Sequence, residues 1–309
     1  MAALAVDWMD ADSAVGRRCA RPLASRPMSI SKVGVVGSGI MGGGIAETAA
    51  KAGFQVVLRS RQQTTADATL AALAKSLAKQ VERGKLEQAA ADDILGRVSA
   101  TADLAELADC DLVVESVVED LPTKLALFKE LDSVVKPDAI LATNTSTLPV
   151  VEMAVCTGRA DRVCGIHFFN PAPMMSLVEV VRPLTASDET IATALEFARA
   201  CGKKPVEVKD QAGFIVNALL FPYLNNAVRL LEGGIATRED IDEAMKGGCN
   251  FPMGPLALLD LVGLDTSLSI LDALYAEFRD PNYAAVPRLR RMVAAGQLGR
   301  KSKRGFYDY

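Results

Sequence analysis

The chain contains one residue suited to proton transfer near neutral pH, and its surroundings are apolar. His167 is the only histidine in 309 residues and lies in the segment GIHFFNP. Imidazole is the side chain whose ordinary pKa lies near neutrality, so it can act as a general acid or a general base. A lone histidine among apolar residues is nevertheless more commonly a packed core residue. The neighbouring residues alone therefore leave both interpretations open.

Three glycines with the spacing G-x-G-x-x-G are the second feature with chemical meaning. Gly37, Gly39 and Gly42 lie between a β-branched run, KVGVV, and a helical pattern. In such a motif the first glycine permits a tight turn, the second lets the backbone approach a pyrophosphate, and the third allows close packing of the helix on the strand. The pyrophosphate then lies at the helix N-terminus. In this strand–turn–helix context the motif predicts a dinucleotide site.

The acidic residue that ordinarily selects NAD is absent from this motif. An NAD site has Asp or Glu about 20 residues further on, where it accepts hydrogen bonds from the adenosine ribose. No acidic residue lies between Glu47 and Asp67, and Ser60 stands at the expected place. Its neighbours Arg59 and Arg61 suit a 2′-phosphate, which a carboxylate would repel. The pattern favours NADP(H); NAD(H) is the alternative, with the two arginines merely solvated at a strand end.

The composition argues against several other kinds of partner. A net charge of −4 argues against nucleic acid, and no apolar run reaches the roughly 18 residues of a membrane-spanning helix. A single histidine excludes multi-histidine metal sites, and we expect no metal. The six cysteines form no CxxC pair, which predicts reduced thiols in a cytoplasmic protein. They are Cys19, Cys110, Cys156, Cys164, Cys201 and Cys249.

Strand and helix patterns alternate from Lys32 onward. KVGVVG, FQVVLRS, DLVVES, AILATNTST and RVCGIHFFN have the character of strands, and helical patterns such as residues 65–84 and PTKLALFKELDSVV separate them. This alternation predicts an α/β fold with a Rossmann-type, doubly wound and mostly parallel sheet, covered by helices on both faces. SLVEVVRP is interpreted as one further strand, antiparallel and at the edge.

After about residue 209 the patterns become helical throughout. AGFIVNALLFPYLNNAVRLLEGG and PLALLDLVGLDTSLSILDALYAEF have apolar residues at helical spacing, with a kink expected at Pro222. TREDIDEAMKGG begins with a capping arrangement and ends at paired glycines. We expect a dinucleotide-binding domain over residues 29–211 and a smaller, all-helical substrate and dimerisation domain over residues 212–309. Because the helical part is small and apolar, it should pack on the first domain and on a second copy in a homodimer.

The first 28 residues show no periodicity and mix acidic, basic, Pro and Ser residues. Two interpretations stay open. Residues 1–28 are either a disordered extension, or they precede a natural translation start at Met28.

Taken together, the motifs resemble the L-3-hydroxyacyl-CoA dehydrogenase family, in its small 3-hydroxybutyryl-CoA dehydrogenase type. The similarity extends from Lys32 to Tyr309 in the family's order and spacing, and HFFNP followed by LVEVV is its most specific part. The matching segments are GSGIMGGGIAE, VVES with VVEDLPTK, NTST, GIHFFNP, LVEVV, AGFIVNALL, FPMGPLALLDLVGLD and GRKSKRGFYDY.

The resemblance implies a catalytic pair, His167 and Glu179, on neighbouring strands. His167 would transfer the proton of the substrate hydroxyl group, and Glu179 would orient the ring and stabilise the imidazolium. A surface acid on an edge strand is the alternative for Glu179, but its apolar neighbours fit a buried partner better. Ser146 and Asn217 occupy the family's positions for substrate hydrogen bonding. Asn217 lies on an apolar helix face, where an unpaired amide costs about 1–3 kcal/mol, although a helix-cap bond or an interhelical bond would also satisfy it.

The resemblance also assigns cofactor and coenzyme A contacts. Ser76 and Arg83 fall where the family contacts the CoA nucleotide, and Arg83 replaces a lysine that is common there. Beside Arg59, Ser60 and Arg61, the residues expected to contact the cofactor are Gly37, Gly39, Ile40, Met41, Gly42, Glu119, Lys124, Asn144, Asn170 and Lys301.

The expected activity is the interconversion of short-chain L-3-hydroxyacyl-CoA and 3-ketoacyl-CoA with a nicotinamide cofactor. One alternative keeps the fold but acts on a free hydroxy acid, a sugar acid or an acyl-carrier-protein thioester. A second alternative is a dinucleotide-binding structural protein without turnover. The sequence leaves the acyl chain length and the physiological direction open.

Overall fold

Eight strands and eleven α-helices form between residues 29 and 309, which are the residues that the computed structural model describes. The predictions for residues 1–28 lie outside this range. The strands are rich in valine, whose β-branched side chain favours a pleated, buried backbone. Their bounds are Lys32–Val36 (β1), Gln55–Arg59 (β2), Val98–Thr101 (β3), Leu112–Glu115 (β4), Ile140–Thr143 (β5), Val163–Phe168 (β6), Leu177–Arg182 (β7) and Lys204–Lys209 (β8).

The strands form one sheet in the order β3-β2-β1-β4-β5-β6-β7-β8. Neighbouring strands are parallel except for β6 and β7, which are antiparallel. The strand order reverses between β1 and β4, which is the place where open α/β sheets bind their ligands. The predicted antiparallel direction of β7 is correct. Its predicted position at the edge is wrong, because β8 pairs along its outer side.

Six helices of the described chain precede β8 and cover both faces of the sheet. One apolar layer combines the sheet with the first, second, third and sixth of these helices, and the opposite layer combines it with the fourth and fifth. These helices are Ile40–Lys51 (α1), Gln63–Glu82 (α2), Gln88–Gly96 (α3), Leu121–Val134 (α4), Val150–Val155 (α5) and Asp188–Ala200 (α6).

Five further helices follow β8 in the described chain and enclose a separate apolar core. Their bounds are Val216–Glu232 (α7), Arg238–Cys249 (α8), Pro255–Val262 (α9), Leu264–Phe278 (α10) and Pro287–Ala294 (α11). The predicted cap of α8 is present, since Thr237 accepts a hydrogen bond from the Asp240 N–H.

Two boundaries in the helical part differ from the sequence pattern. The α8 helix continues through the paired glycines, and it ends where Asn250 adopts a left-handed conformation. The stretch predicted as one helix is divided into α9 and α10, because Gly263 has a φ of +102° that a helix cannot contain. The predicted fold class, a mostly parallel Rossmann-type sheet followed by a smaller helical domain, is confirmed. None of the helices in residues 29–309 is both long and apolar enough to span a membrane.

Candidate active site

His167 and Glu179 lie directly opposite each other on β6 and β7. Because side chains opposite each other in an antiparallel pair point to the same face, the register brings imidazole and carboxylate together. His167 Nδ1 is 2.8 Å from Glu179 Oε2. His167 is 4% exposed and Glu179 is fully buried, at 0%. An ionised carboxylate only accepts hydrogen bonds, so Nδ1 carries the proton and Nε2 is left as the acceptor.

The second oxygen of the Glu179 carboxylate contacts the start of α7. Glu179 Oε1 accepts hydrogen bonds from the backbone N–H groups of Ile215 and Val216, each at 3.0 Å. These N–H groups belong to the helix N-terminus, where the backbone lacks internal partners and carries partial positive charge. The helical domain therefore stabilises the carboxylate that orients the histidine ring.

Ser146 lies on the other side of the imidazole. Its Oγ is 3.0 Å from His167 Nε2, so the hydroxyl group donates to the free ring nitrogen. The loop that carries Ser146 follows β5 and is held by Glu119, whose Oε1 accepts from the Ser146 N–H at 2.9 Å and from Thr145 Oγ1 at 2.5 Å. The structure thus brings Glu119, Ser146, His167 and Glu179 into one hydrogen-bonded group.

Asn217 lies in the first turn of α7, next to the N–H groups that hold Glu179. Its side chain is largely buried. The amide group makes no hydrogen bond to another residue within the described chain. Its donors and its acceptor therefore have no partner among residues 29–309, and the interhelical bond considered from the sequence does not form there.

A buried ion pair supports the loop from below. Lys124 on α4 is 1% exposed, and its ammonium group lies 2.6 Å from Glu115 Oε1 and 3.4 Å from Glu119 Oε2. Glu115 Oε2 also accepts from Thr143 Oγ1 at 2.7 Å. Glu115 thereby ties the ends of β4 and β5 to α4. Sequence reasoning missed this role, although an acidic residue that ends the buried run VVE is a visible signal.

The glycine motif has the geometry of a phosphate-binding turn. Gly37 has a φ of +121°, and a Cβ there would lie 2.2 Å from the Ser116 carbonyl oxygen. A Cβ on Gly42 would lie 1.8 Å from the Gly37 carbonyl oxygen, so the helix packs directly on the turn. Gly39 faces open space. It is the N-cap of α1 and has no side-chain cap, and the adjacent Ile40 is 81% exposed. The first backbone N–H groups of α1 have no partner within the helix, so they fit the pyrophosphate of a dinucleotide.

The residues at the end of β2 are arranged around a hydroxyl pair. Ser60 is buried, and its Oγ is 2.8 Å from Ser38 Oγ in the glycine turn. Arg59 donates from Nε to the Ala102 carbonyl oxygen at 3.3 Å, so one of its donors is already engaged. Arg61 is exposed and has no carboxylate partner among residues 29–309. Of the two arginines, Arg61 is thus the freer to bind a phosphate group.

The other residues that were expected to contact the cofactor lie on different elements of the fold. Met41 is half-buried in the first turn of α1, and Asn144 Oδ1 accepts from the Phe168 N–H at 2.8 Å, which joins the ends of β5 and β6. Asn170 is exposed in the loop after β6. Lys301 is near the C-terminus and pairs with Asp265 at 2.5 Å, without a described contact to Glu119 or Lys124.

The two residues expected near coenzyme A lie along α2. Ser76 is half-buried and contacts Gln80 within the helix, whereas Arg83 is exposed at the helix C-terminus. Among residues 29–309, no three His, Cys, Asp or Glu side chains are grouped as metal ligands.

Known proteins similar to this chain agree over nearly its whole length. Two family models match it: 3-hydroxyacyl-CoA dehydrogenase, NAD binding domain, over residues 32–211, and 3-hydroxyacyl-CoA dehydrogenase, C-terminal domain, over residues 213–309. A 3-hydroxybutyryl-CoA dehydrogenase of Clostridioides difficile is 50% identical over 278 residues, covering 90% of this chain and 99% of the relative.

Solved structures give the same result. The crystal structure of (S)-3-hydroxybutyryl-CoA dehydrogenase from Ralstonia eutropha has a TM-score of 0.89 and 43% identity, and the match covers 91% of this chain and 99% of that one. Human mitochondrial hydroxyacyl-coenzyme A dehydrogenase is 41% identical over 293 residues, covering 93% of each chain. With both family models matched and a relative at 50% identity, the chain belongs to the 3-hydroxyacyl-CoA dehydrogenase family.

Proposed function

We propose that the protein interconverts short-chain L-3-hydroxyacyl-CoA and 3-ketoacyl-CoA, with NADP(H) as the preferred cofactor. One observation carries the proposal: His167 is hydrogen-bonded to Glu179 through Nδ1 and to Ser146 through Nε2, in a chain that has a dinucleotide turn. A ring held in one tautomer, with its second nitrogen directed at a hydroxyl group, is prepared for proton transfer to and from a substrate oxygen.

The side chains divide the reaction between them. A nicotinamide cofactor, when bound, exchanges hydride with C3 of the substrate. During oxidation His167 Nε2 accepts the proton of the 3-hydroxyl group, while Glu179 stabilises the imidazolium. During reduction the same nitrogen returns the proton to the 3-keto oxygen. Ser146 and Asn217 would hold the substrate oxygens by hydrogen bonds, and Ser76 and Arg83 would contact the CoA nucleotide.

The preference for NADP(H) is supported by the end of β2. Ser60 supplies a hydroxyl group where a carboxylate would select NAD(H), and Arg61 is exposed without an ionic partner in the described chain. A guanidinium group beside a hydroxyl group favours a 2′-phosphate over a free 2′-hydroxyl. The contribution of Arg59 is smaller, because its Nε already donates to Ala102.

The test is a steady-state assay of acetoacetyl-CoA reduction with NADPH and with NADH, followed at 340 nm. We expect turnover with both cofactors and a higher kcat/KM for NADPH. Free acetoacetate serves as the comparison substrate, and comparable turnover of it would reject the CoA thioester. His167→Gln should abolish turnover while the dissociation constant of NADPH stays close to the wild-type value. Turnover by that variant would reject the mechanism, and a preference for NADH would reject the assigned cofactor.

We also propose a cytoplasmic homodimer that associates through the helical domain. The cysteines in residues 29–309 are free thiols, as in a reducing compartment. Several large apolar side chains of the helical domain are exposed, as is common at subunit interfaces: Leu219, Leu230, Ile235, Phe251 and Leu261. Sedimentation velocity at micromolar concentration should give twice the chain mass, and a monomer would contradict the proposal.

A further inference from the structure

The loop that joins β8 to α7 has an unfavourable backbone conformation beside the catalytic histidine. Gly213 and Phe214 both have positive φ, at +75° and +48°. Glycine adopts this conformation freely, but a phenylalanine in the left-handed region is strained. Such strain persists where the surrounding structure enforces it, and it concentrates at functional sites. Phe214 is 5% exposed, so packing holds it in place.

The strained turn determines which backbone groups meet Glu179. Immediately after Phe214, the N–H groups of Ile215 and Val216 converge on Glu179 Oε1. Glu179 is fully buried, and its other oxygen is bonded to His167. Without these two donors the fully buried Oε1 would lose both of its hydrogen bonds, which is costly for a buried carboxylate. The turn therefore completes the hydrogen bonding of the residue that orients the histidine.

The side chain of Phe214 contacts the histidine itself. The two ring centroids are 5.5 Å apart at an interplanar angle of 61°, an edge-to-face contact. On another side Phe169 packs against the imidazole with a centroid distance of 4.6 Å. The imidazole is thus confined by two aromatic rings, of which Phe169 belongs to the sheet domain and Phe214 to the segment that begins the helical part.

We propose that Phe214 is a positioning residue for the His167–Glu179 pair. Its backbone directs two N–H groups to the carboxylate, and its ring restricts the imidazole to the orientation in which Nε2 faces Ser146. The inference deepens the proposed function and rests on it for the catalytic consequence. It also implies that proton transfer depends on the helical domain, because the N–H groups that complete the hydrogen bonds of Glu179 belong to the first residues of this domain.

Two matched pairs of variants test the side chain and the turn separately. Phe214→Leu is compared with Phe197→Leu, which truncates another buried phenylalanine, packed on Phe54. Gly213→Ala is compared with Gly202→Ala, which places alanine at a similar positive φ of +71°. The two differ in space, since a Cβ on Gly213 would lie 2.7 Å from Leu274 Cδ2 and a Cβ on Gly202 meets no atom within 4 Å. We expect kcat to fall at least tenfold in the first member of each pair. The second members should keep kcat within twofold, and KM for NADPH should stay within twofold in all four.

A second measurement does not depend on turnover. Because His167 is the only histidine, the untagged full chain labelled with ¹⁵N-histidine gives the ring signals of that residue alone. Wild type and both control variants should show the single Nδ1–H tautomer, whereas Phe214→Leu and Gly213→Ala should show a mixture or broadened signals. If Gly213→Ala fails to fold, Phe214→Leu decides the question.

Unchanged kcat and an unchanged ¹⁵N spectrum in Phe214→Leu would overturn the inference. An unchanged kcat with an increased KM for NADPH would also overturn it, since the loss of activity would then lie in cofactor binding and not in proton transfer. If the wild-type chain does not reduce acetoacetyl-CoA, the proposed function fails. The ¹⁵N spectra then still show whether Phe214 positions the ring.

Discussion

Replacing Glu179 by glutamine removes one charge from the site and leaves its shape intact. The two N–H groups of Ile215 and Val216, each 3.0 Å from Oε1, require an acceptor at that position. The glutamine oxygen therefore faces α7, and its NH₂ group faces His167 Nδ1. A nitrogen that receives a hydrogen bond cannot carry a proton, so the ring changes to the tautomer with the proton on Nε2. In that form Nε2 can no longer accept the proton of the substrate.

The size of the effect follows from two contributions. The bond between carboxylate and imidazolium is charge-assisted, and its replacement by a neutral bond costs about 1–2 kcal/mol. Restoring the productive tautomer leaves the NH₂ group of the introduced glutamine facing a ring N–H, at a cost of about 2 kcal/mol for an unsatisfied buried donor. The sum, about 3–4 kcal/mol, lowers kcat by roughly 10²- to 10³-fold.

The assay measures kcat with acetoacetyl-CoA and NADPH at saturation, together with the dissociation constant of NADPH. We expect cofactor binding and the thermal midpoint to stay near wild type, because the hydrogen bonds to α7 persist. The ¹⁵N-histidine signal should change to the Nε2–H tautomer. Glu207→Gln, on the neighbouring strand β8 and paired with Arg182, is the control and should keep full activity. A Glu179→Gln variant with kcat within fivefold of wild type would refute the assigned role of the carboxylate.

Three further outcomes are expected. Ser60→Asp should lower the ratio of kcat/KM for NADPH over NADH at least 30-fold, because a carboxylate repels a 2′-phosphate and accepts bonds from the ribose. Asp111→Asn should destabilise the fold by about 1 kcal/mol at pH 7 in urea denaturation. Burial would raise the pKa of Asp111, but hydrogen bonds from Lys136, Lys32 and Ser31 lower it to about 2. The stabilisation by ionised Asp111 is therefore complete above the unfolded pKa of ~3.9 and is lost as the pH falls toward 2. Its size is smaller than the full pKa shift would give, because solvent around Lys136 screens the ion pair. Thiol titration of the native protein should modify the exposed Cys249 readily. Cys164 should react only on unfolding, since burial raises the pKa of its thiol to about 12.

Each of these expectations has a result that contradicts it. An unchanged cofactor ratio in Ser60→Asp would mean that the end of β2 does not contact the ribose. If the difference in unfolding free energy between Asp111→Asn and wild type is the same at pH 7 and at pH 2, the ionisation of Asp111 does not contribute to stability. Modification of Cys164 at the rate of Cys249 in the native protein would show that β6 is accessible to the reagent.

Local patterns in the sequence were enough to predict the dinucleotide turn and the fold class. Gly37 and Gly42 have no sterically tolerated replacement, since a Cβ at either position overlaps backbone atoms. The motif can therefore be recognised from the sequence without a structure. The alternation of strand and helix patterns likewise predicts a parallel sheet, because helical crossovers are the ordinary way to connect parallel strands. The internal position of β7 was beyond this reasoning, since the half-exposed pattern of β8 does not reveal that β8 pairs with β7.

Only the tertiary structure decided how the hydrogen-bonded group around His167 is supported. An acidic residue at the end of the buried run VVE indicates that Glu115 needs a partner, but the sequence does not show that this partner is Lys124, because the two meet only when α4 packs on the strand. The same holds for Glu179 and the start of α7, which are 36 and 37 residues apart in sequence. Lys301 is a similar case, since its pairing with Asp265 depends on how the C-terminal segment folds back.

The sequence by itself singled out the candidate for proton transfer, because His167 is the only histidine in 309 residues. It also placed an acidic residue twelve positions away, amid apolar neighbours. The structure decided how this pair is held: the cross-strand register sets the 2.8 Å contact, and the N–H groups that follow Phe214 complete the hydrogen bonds of Glu179. The physical reason is that residue types are local, whereas burial and hydrogen-bond partners come from segments distant in the chain.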